Sequence, residues 1–188
     1  MEFTVLQEKL QQALSTKRFS HSVGVQQTAM KLAARFGADT QKAGIAGLLH
    51  DCAREMPNDH LLKRAGDFGI VVGSLERSSP MLLHAAISAG IASLEYGIRD
   101  EDIKKAISLH TTGGPNMSLL DKIIFLADYI EPHRAFPGVD KLRKLALEDL
   151  DQAVLAAFDQ TIYHLMNKRM LIHLATIEGR NALLLNGK

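Results

Sequence analysis

The chain has a single cysteine, Cys52, and no tryptophan. One thiol excludes an intrachain disulfide framework and a zinc module built from clustered thiols. It fits a reducing compartment, and a cytoplasmic protein is expected. Cys52 is expected to be a small core residue. Charge excess is also missing, since the formal net charge is +1. No broad electrostatic footprint therefore argues for nucleic-acid or membrane binding, although a local pocket for a nucleotide or another small anion remains open. No apolar run approaches the roughly 18 residues of a membrane span. The stretch Met1-Glu2-Phe3-Thr4-Val5-Leu6-Gln7-Glu8-Lys9 carries charges throughout and has no apolar signal core, so no targeting segment is expected. Low-complexity segments, internal repeats and linkers are absent as well.

What is present is ordinary globular material. The 188 residues are 46% apolar and 23% charged. A single domain over residues 1–188 can bury a sizeable core. Helix signals run almost throughout. Thr4-x-x-Gln7 has the pattern of a capping box opening a helix over about 4–14. Further helices are expected over about 17–36, stopped by Gly37, and over about 40–55, capped by Asp39. Pro57 suits the first turn of a fourth, ending near Gly66 or Gly69. Residues 70–78 read as a loop with a short turn. Ser79-Pro80 opens a fifth helix to about Tyr96, and Asp100 caps a sixth that ends before Thr111-Thr112-Gly113-Gly114-Pro115. The remaining helices are expected over about 118–130, 139–147, 150–169 and 176–185. The fold class is all-α, a single-domain bundle of about eight to ten helices. Leucines and alanines on the last helices suit either the core or a homodimer interface.

Six residues in this apolar background carry the chemistry: His21, His50, Asp51, His84, His110 and Asp128. His50 shares a helical face with Ala43, Ala46 and Gly47, and Asp51 with Gly44, Gly47 and Leu48, leaving room for a bulky group or a close neighbouring helix. His110 follows Ile103, Ala106 and Ile107. Asp128 lies inside Ile123-Ile124-Phe125-Leu126-Ala127-Asp128-Tyr129-Ile130. A lone histidine on an apolar stripe is more often a hydrogen-bonded core residue than a ligand. A buried carboxylate is harder to dismiss, because leaving it unpaired costs several kcal/mol against a total stability of roughly 5–15 kcal/mol. A divalent cation removes that penalty, and imidazole with carboxylate is the donor set of catalytic divalent metals. Six ligands exceed the need of one open ion, so a two-metal site that clamps phosphoryl oxygens is the economical reading.

The spread His21…His50-Asp51…Asp128 resembles the HD-domain superfamily of metal-dependent phosphohydrolases. Longer strings resemble its YqeK-type subfamily, the symmetrical diadenosine tetraphosphate hydrolases. These are Arg18-Phe19-Ser20-His21-Ser22, Ala46-Gly47-Leu48-Leu49-His50-Asp51, His110-Thr111-Thr112-Gly113 and Ala127-Asp128-Tyr129-Ile130-Glu131-Pro132-His133-Arg134. The likeness runs from about residue 15 to 165. It implies an HD-type helical bundle, a di-iron centre, and cleavage of diadenosine tetraphosphate into two ADP. It also implies His21, His50, Asp51 and Asp128 on one ion and His84 and His110 on the other, with Asp51 bridging as the candidate catalytic residue. Manganese, cobalt or zinc would suit the same ligands.

A tetraphosphate substrate calls for guanidinium groups as well as metal. Arg18, Arg54 and Arg134 each lie close in sequence to an expected ligand. Thr111, Thr112 and Gly113 could hold a phosphate or ribose through hydroxyl and backbone N–H groups. Lys17, Lys63 and Arg64 are expected on the surface. His60, His133, His164 and His173 are expected to be structural or exposed, and Phe19, Phe136 and Tyr163 to pack in the core in preference to facing an adenine. The expected reaction is in-line attack of a metal-activated hydroxide on phosphorus. Alternatives are an HD-type hydrolase of a deoxynucleotide, guanosine polyphosphate or cyclic nucleotide, or a non-catalytic nucleotide sensor.

Overall fold

In a computed structural model, which describes residues 3–186, the chain is all-α. The helices are α1 (Phe3–Ala13), α2 (Thr16–Phe36), α3 (Thr40–Leu49), α4 (Asn58–Asp67), α5 (Ser74–Ser78), α6 (His84–Leu94), α7 (Glu101–Leu109), α8 (Leu119–Ile130), α9 (Val139–Glu148), α10 (Leu150–Asn167) and α11 (Leu174–Asn186), with a 3-10 helix at Pro80–Leu83. Local chemistry sets the starts. Ser15 accepts from the N–H of Arg18 to begin α2, and Asp39 from Gln41 and Lys42 to begin α3. Asp100 and Asp149 do the same for α7 and α10, and Ser118 with Asp121 forms a capping box on α8. Gly37 ends α2 at φ 75°, a left-handed conformation that glycine adopts without strain.

The structure departs from the sequence expectation in several places, among them the helix expected from Ser79-Pro80, which is a 3-10 helix to Leu83 and α-helical only from His84. Thr4 lies inside α1 rather than at its cap. The helix expected over 40–55 stops at Leu49, because the His50 ring donates from Nδ1 to the carbonyl of Gly47 at 2.8 Å. That is the carbonyl the N–H of Asp51 would otherwise take. The chain then descends through tight turns, with Cys52 N–H on the Leu49 carbonyl and Arg54 N–H on the Asp51 carbonyl. One short helix that was not expected, α5, occupies part of the stretch read as loop. The Glu76 carboxylate accepts from the Gly73 N–H at 2.8 Å and from His173 at 3.1 Å, a tertiary partner that local sequence does not reveal.

The centre of the bundle is α2, α3, α7 and α8, with α2 packed on both α3 and α8, and α7 on α3, α6 and α8. Gly47 permits the tightest of these contacts. A Cβ there would lie 3.1 Å from the Gln26 Cα and the Val25 carbonyl oxygen, so α3 rides directly on the α2 backbone. Leu48, Leu49, Ile107, Ile123, Ile124 and Leu126 are fully buried around the segments that carry His50, His110 and Asp128. Each such side chain contributes about 1.5–3 kcal/mol by leaving water, which fixes those segments in place. Among the described residues, no helix is long and apolar enough to cross a membrane.

Candidate metal centre

Five elements deliver the six residues to one point. His21 comes from within α2, His50 and Asp51 from the turn ending α3, and His84 from the first position of α6. His110 closes α7, and Asp128 lies two residues before the end of α8. His21 Nε2 is 3.2 Å from His50 Nε2 and 3.1 Å from Asp128 Oδ1. Asp51 Oδ2 is 3.4 Å from His50 Nε2 and 3.7 Å from His21 Nε2. The other oxygen, Oδ1, faces the opposite way, 3.2 Å from His84 Nε2 and 3.5 Å from His110 Nε2. Those two nitrogens are 3.1 Å apart. His50 and His110, with ring centroids 4.7 Å apart, join the two groups into one cluster.

The tautomers follow from the outer partners. Nδ1 of His50, His84 and His110 donates to the carbonyls of Gly47, Met81 and Ile107. Nδ1 of His21 donates to Glu131 Oε1 at 3.1 Å. With each Nδ1 carrying the hydrogen, the neutral ring turns an Nε2 lone pair inward. Four lone pairs and two carboxylates then face one another. Thr111 Oγ1 lies 3.1 Å from His84 Nε2 and 3.0 Å from His110 Nε2, but its single proton satisfies one of them. Asp51 Oδ1 is buried with no hydrogen-bond donor at all. That orphaned oxygen among imidazole lone pairs is what a divalent cation satisfies, so the residues present fit a divalent metal site.

Electrostatics point the same way. Burial works to raise the Asp51 and Asp128 carboxyls, yet the surrounding histidines hold both well below the usual carboxylate range. Burial works to lower the His50 imidazole, but the charge of Asp51 and hydrogen bonds to Asp128 and Asp51 push it up to about 10. Burial lowers His110. The cluster draws positive charge, as a proton or as a cation. Arg18 Nη1 bonds Asp51 Oδ2 at 2.7 Å, and the Arg134 guanidinium bonds the Asp128 carboxylate and backbone carbonyl.

Two cavities border the cluster. The larger, about 780 Å³, is walled by His110, Thr111 and Asp128 on the side of the cluster, and by Phe125, Tyr129, Phe136 and Tyr163 on the other sides. The second, about 440 Å³, is lined by Lys17, Arg18, Ser20, His21, Glu131, His133 and Arg134. Arg134 belongs to both.

Several expectations need correction here. Arg54 follows the cluster in the turn after α3, its backbone N–H on the Asp51 carbonyl at 2.9 Å. The Gly113 N–H is already donated to the Leu109 carbonyl, and its left-handed φ of 63° makes it a helix stop. The Thr112 hydroxyl donates to the Gly113 carbonyl, and its own carbonyl accepts from Thr176. Of that trio the structure brings only Thr111 to the cluster. Tyr163 is exposed at the edge of the large cavity and does not fill the core, whereas Phe136 packs against the core and also lines that cavity. His164 and Lys17 are exposed as expected, at the mouths of the large and the smaller cavity. Cys52 is buried, and burial pushes its thiol up to about 12, consistent with an inert core residue. Sequence reasoning gave no role to Glu131. Its one signal was a carboxylate directly after the apolar run of α8.

Comparison with known proteins agrees with this geometry. Residues 18–133, more than half of the chain, match the HD domain family. The chain is 45% identical over 159 residues to the symmetrical bis(5'-nucleosyl)-tetraphosphatase of Bacillus subtilis, covering 85% of each protein. It is 42% identical over 180 residues to the protein of the same name from Halalkalibacterium halodurans, covering 93% of each. A solved structure from Clostridium acetobutylicum, described as an HD superfamily hydrolase involved in NAD metabolism, superposes with a TM-score of 0.96 at 45% identity, covering 99% of this chain and 98% of that one.

Proposed function

The chain belongs to the HD domain family, and from that premise we propose that it is a metal-dependent hydrolase that cleaves diadenosine tetraphosphate symmetrically into two ADP. His21, His50, Asp51 and Asp128 would hold one divalent ion, and His84, His110 and Asp51 a second, both iron in this reading. When bound, such ions supply Lewis acidity toward phosphoryl oxygens and make a nearby water more acidic. The protein's own residues do the rest. Asp51 holds the two halves of the centre at a fixed separation. Arg134, on the border of both cavities, suits the phosphate chain bidentately, and Arg18 suits it from the smaller cavity. The Thr111 hydroxyl, on the wall shared by cluster and cavity, can donate to a phosphoryl oxygen. Tyr129, Phe136 and Tyr163 offer aromatic faces to a purine. The departing ADP is stable as an anion, so no strong general acid is demanded.

One observation carries this reading. Asp51 turns each carboxylate oxygen to a different pair of imidazoles, beside a cavity large enough for a nucleotide. The test is product analysis after anaerobic incubation of ferrous-loaded protein with diadenosine tetraphosphate. ADP alone is expected. AMP with ATP would refute symmetrical cleavage, and tight binding without turnover would make the protein a sensor. Asp51→Ala should lose both metal equivalents and fall to background activity.

A further inference from the structure

Four imidazoles meet at the centre, and three are locked in the same way. His50, His84 and His110 each donate from Nδ1 to the backbone carbonyl three residues earlier. His50 and His110 close α3 and α7, and His84 follows the 3-10 helix at Pro80–Leu83, so each ring folds back onto the last turn before it; the Met81 and Ile107 carbonyls also accept the backbone N–H of His84 and His110. His21 has no such device. It lies inside α2, where the carbonyls of the preceding turn serve the helical ladder. Its Nδ1 donates instead to a side-chain carboxylate, Glu131 Oε1, at 3.1 Å.

We propose that Glu131 is a positioning residue of the metal centre, fixing the His21 ring with Nε2 inward and making it a stronger electron donor than the other three imidazoles. A full negative charge behind an imidazole polarises the ring more than a neutral carbonyl does. The surroundings are built around that carboxylate. Glu131 is 1% exposed. Its second oxygen accepts from the backbone N–H of His133 at 2.7 Å and from His133 Nδ1 at 2.9 Å. Arg143 donates to the carbonyls of Ile130, Glu131 and Arg134, at 2.9, 2.8 and 2.8 Å, and so clamps the segment that presents it. Gly24, three residues after His21 on α2, leaves the space. A Cβ there would come within 2.6 Å of Glu131 Oε2 and 3.4 Å of His133 Nδ1. The absence of a side chain at position 24 is what admits the carboxylate to the back of His21.

The proposal rests on the metal reading above and is independent of the substrate. Its test is cobalt(II) titration of the full-length, metal-stripped protein, followed by calorimetry and by visible absorption of the bound ion. Glu131→Gln keeps an oxygen for Nδ1 and removes only the charge. It should weaken cobalt binding about tenfold to a hundredfold and shift the cobalt spectrum. Gly24→Ala, which leaves Glu131 chemically intact but displaces it, should give a loss in the same range. The double variant should lose no more than Glu131→Gln alone, because both act through one contact. Glu76→Gln removes the carboxylate of another glutamate–histidine pair, with His173, and should titrate like the unaltered protein. Unaltered affinity and spectrum in both Glu131→Gln and Gly24→Ala overturn the proposal. If Glu131→Gln loses helicity before metal is added, Gly24→Ala alone decides. An unaltered protein that binds no cobalt overturns the metal reading itself. One that binds cobalt but leaves diadenosine tetraphosphate intact overturns only the substrate.

Discussion

On one side of Asp51, His21, His50 and Asp128 gather within 3.1–3.7 Å of one another, and the two histidines lie 3.4–3.7 Å from Oδ2, with Arg18 and Arg134 against the two carboxylates. On the other side, only His84 and His110 face Oδ1, with the Thr111 hydroxyl between them. The first corner offers four donor atoms and a carboxylate-backed imidazole. The second offers three, and both of its histidines rest on backbone carbonyls. Residues of the same types thus build two unlike halves. The richer half is suited to hold charge permanently, and the poorer one keeps room for an incoming oxygen beside the cavity.

Metal stoichiometry breaks this contrast most directly. His84→Ala should keep one metal equivalent, at the first corner, and lose the other, with turnover at background, as elemental analysis and assay would read. His21→Ala should instead weaken the tighter of the two binding events. Equal losses in the two variants would mean the halves are not distinct. A smaller effect is expected at Arg134. Its replacement by alanine removes a charged phosphate contact worth roughly 1.5–3 kcal/mol, so KM should rise about tenfold to a hundredfold while metal content stays at two. A drop in metal content would move Arg134 from substrate to centre.

The smallest effect is in pH. In metal-stripped protein, the folded value of His50, about 10, exceeds its ordinary 6.5. Its stabilisation is fully present below about 6.5 and is lost as pH rises through about 10. Asp51 and Asp128 act oppositely, stabilising above the ordinary carboxylate value of 3.8 and losing that contribution in acid. Calorimetry should therefore show the melting temperature of the stripped protein falling between pH 7 and 10. Each kcal/mol moves it by roughly 2–4 °C at this size. The loaded protein should show a flatter profile over the same range, since the ion replaces the proton. Parallel profiles would remove His50 from the charge balance.

Much of this contrast was legible in the sequence. An aspartate inside an apolar helix, as at Asp128, announces a partner, and four spread histidines supply one. The helical class followed from caps at Asp39 and Asp100 and from the glycine stop at Gly37. Helical periodicity failed where the site departs from helix. It carried α3 through His50 and Asp51, whose geometry depends on the helix having already stopped. It also passed over Glu131, just beyond α8, whose role exists only because α2 packs against that end. Gly113 is near His110 in sequence, but nearness says little about direction at a turn, and its N–H closes the helix instead. Tyr163 lies exposed at the cavity edge, because an aromatic at helical spacing does not tell a core face from a cavity wall.

Gly47 meets the α2 backbone on one face and lends its carbonyl to His50 on the other. A methyl at that position would meet the α2 backbone at 3.1 Å, so α3 and α2 must give way slightly and His50 moves with α3 relative to His21. Packing and chemistry are therefore coupled at position 47, where a change made for one shifts the other.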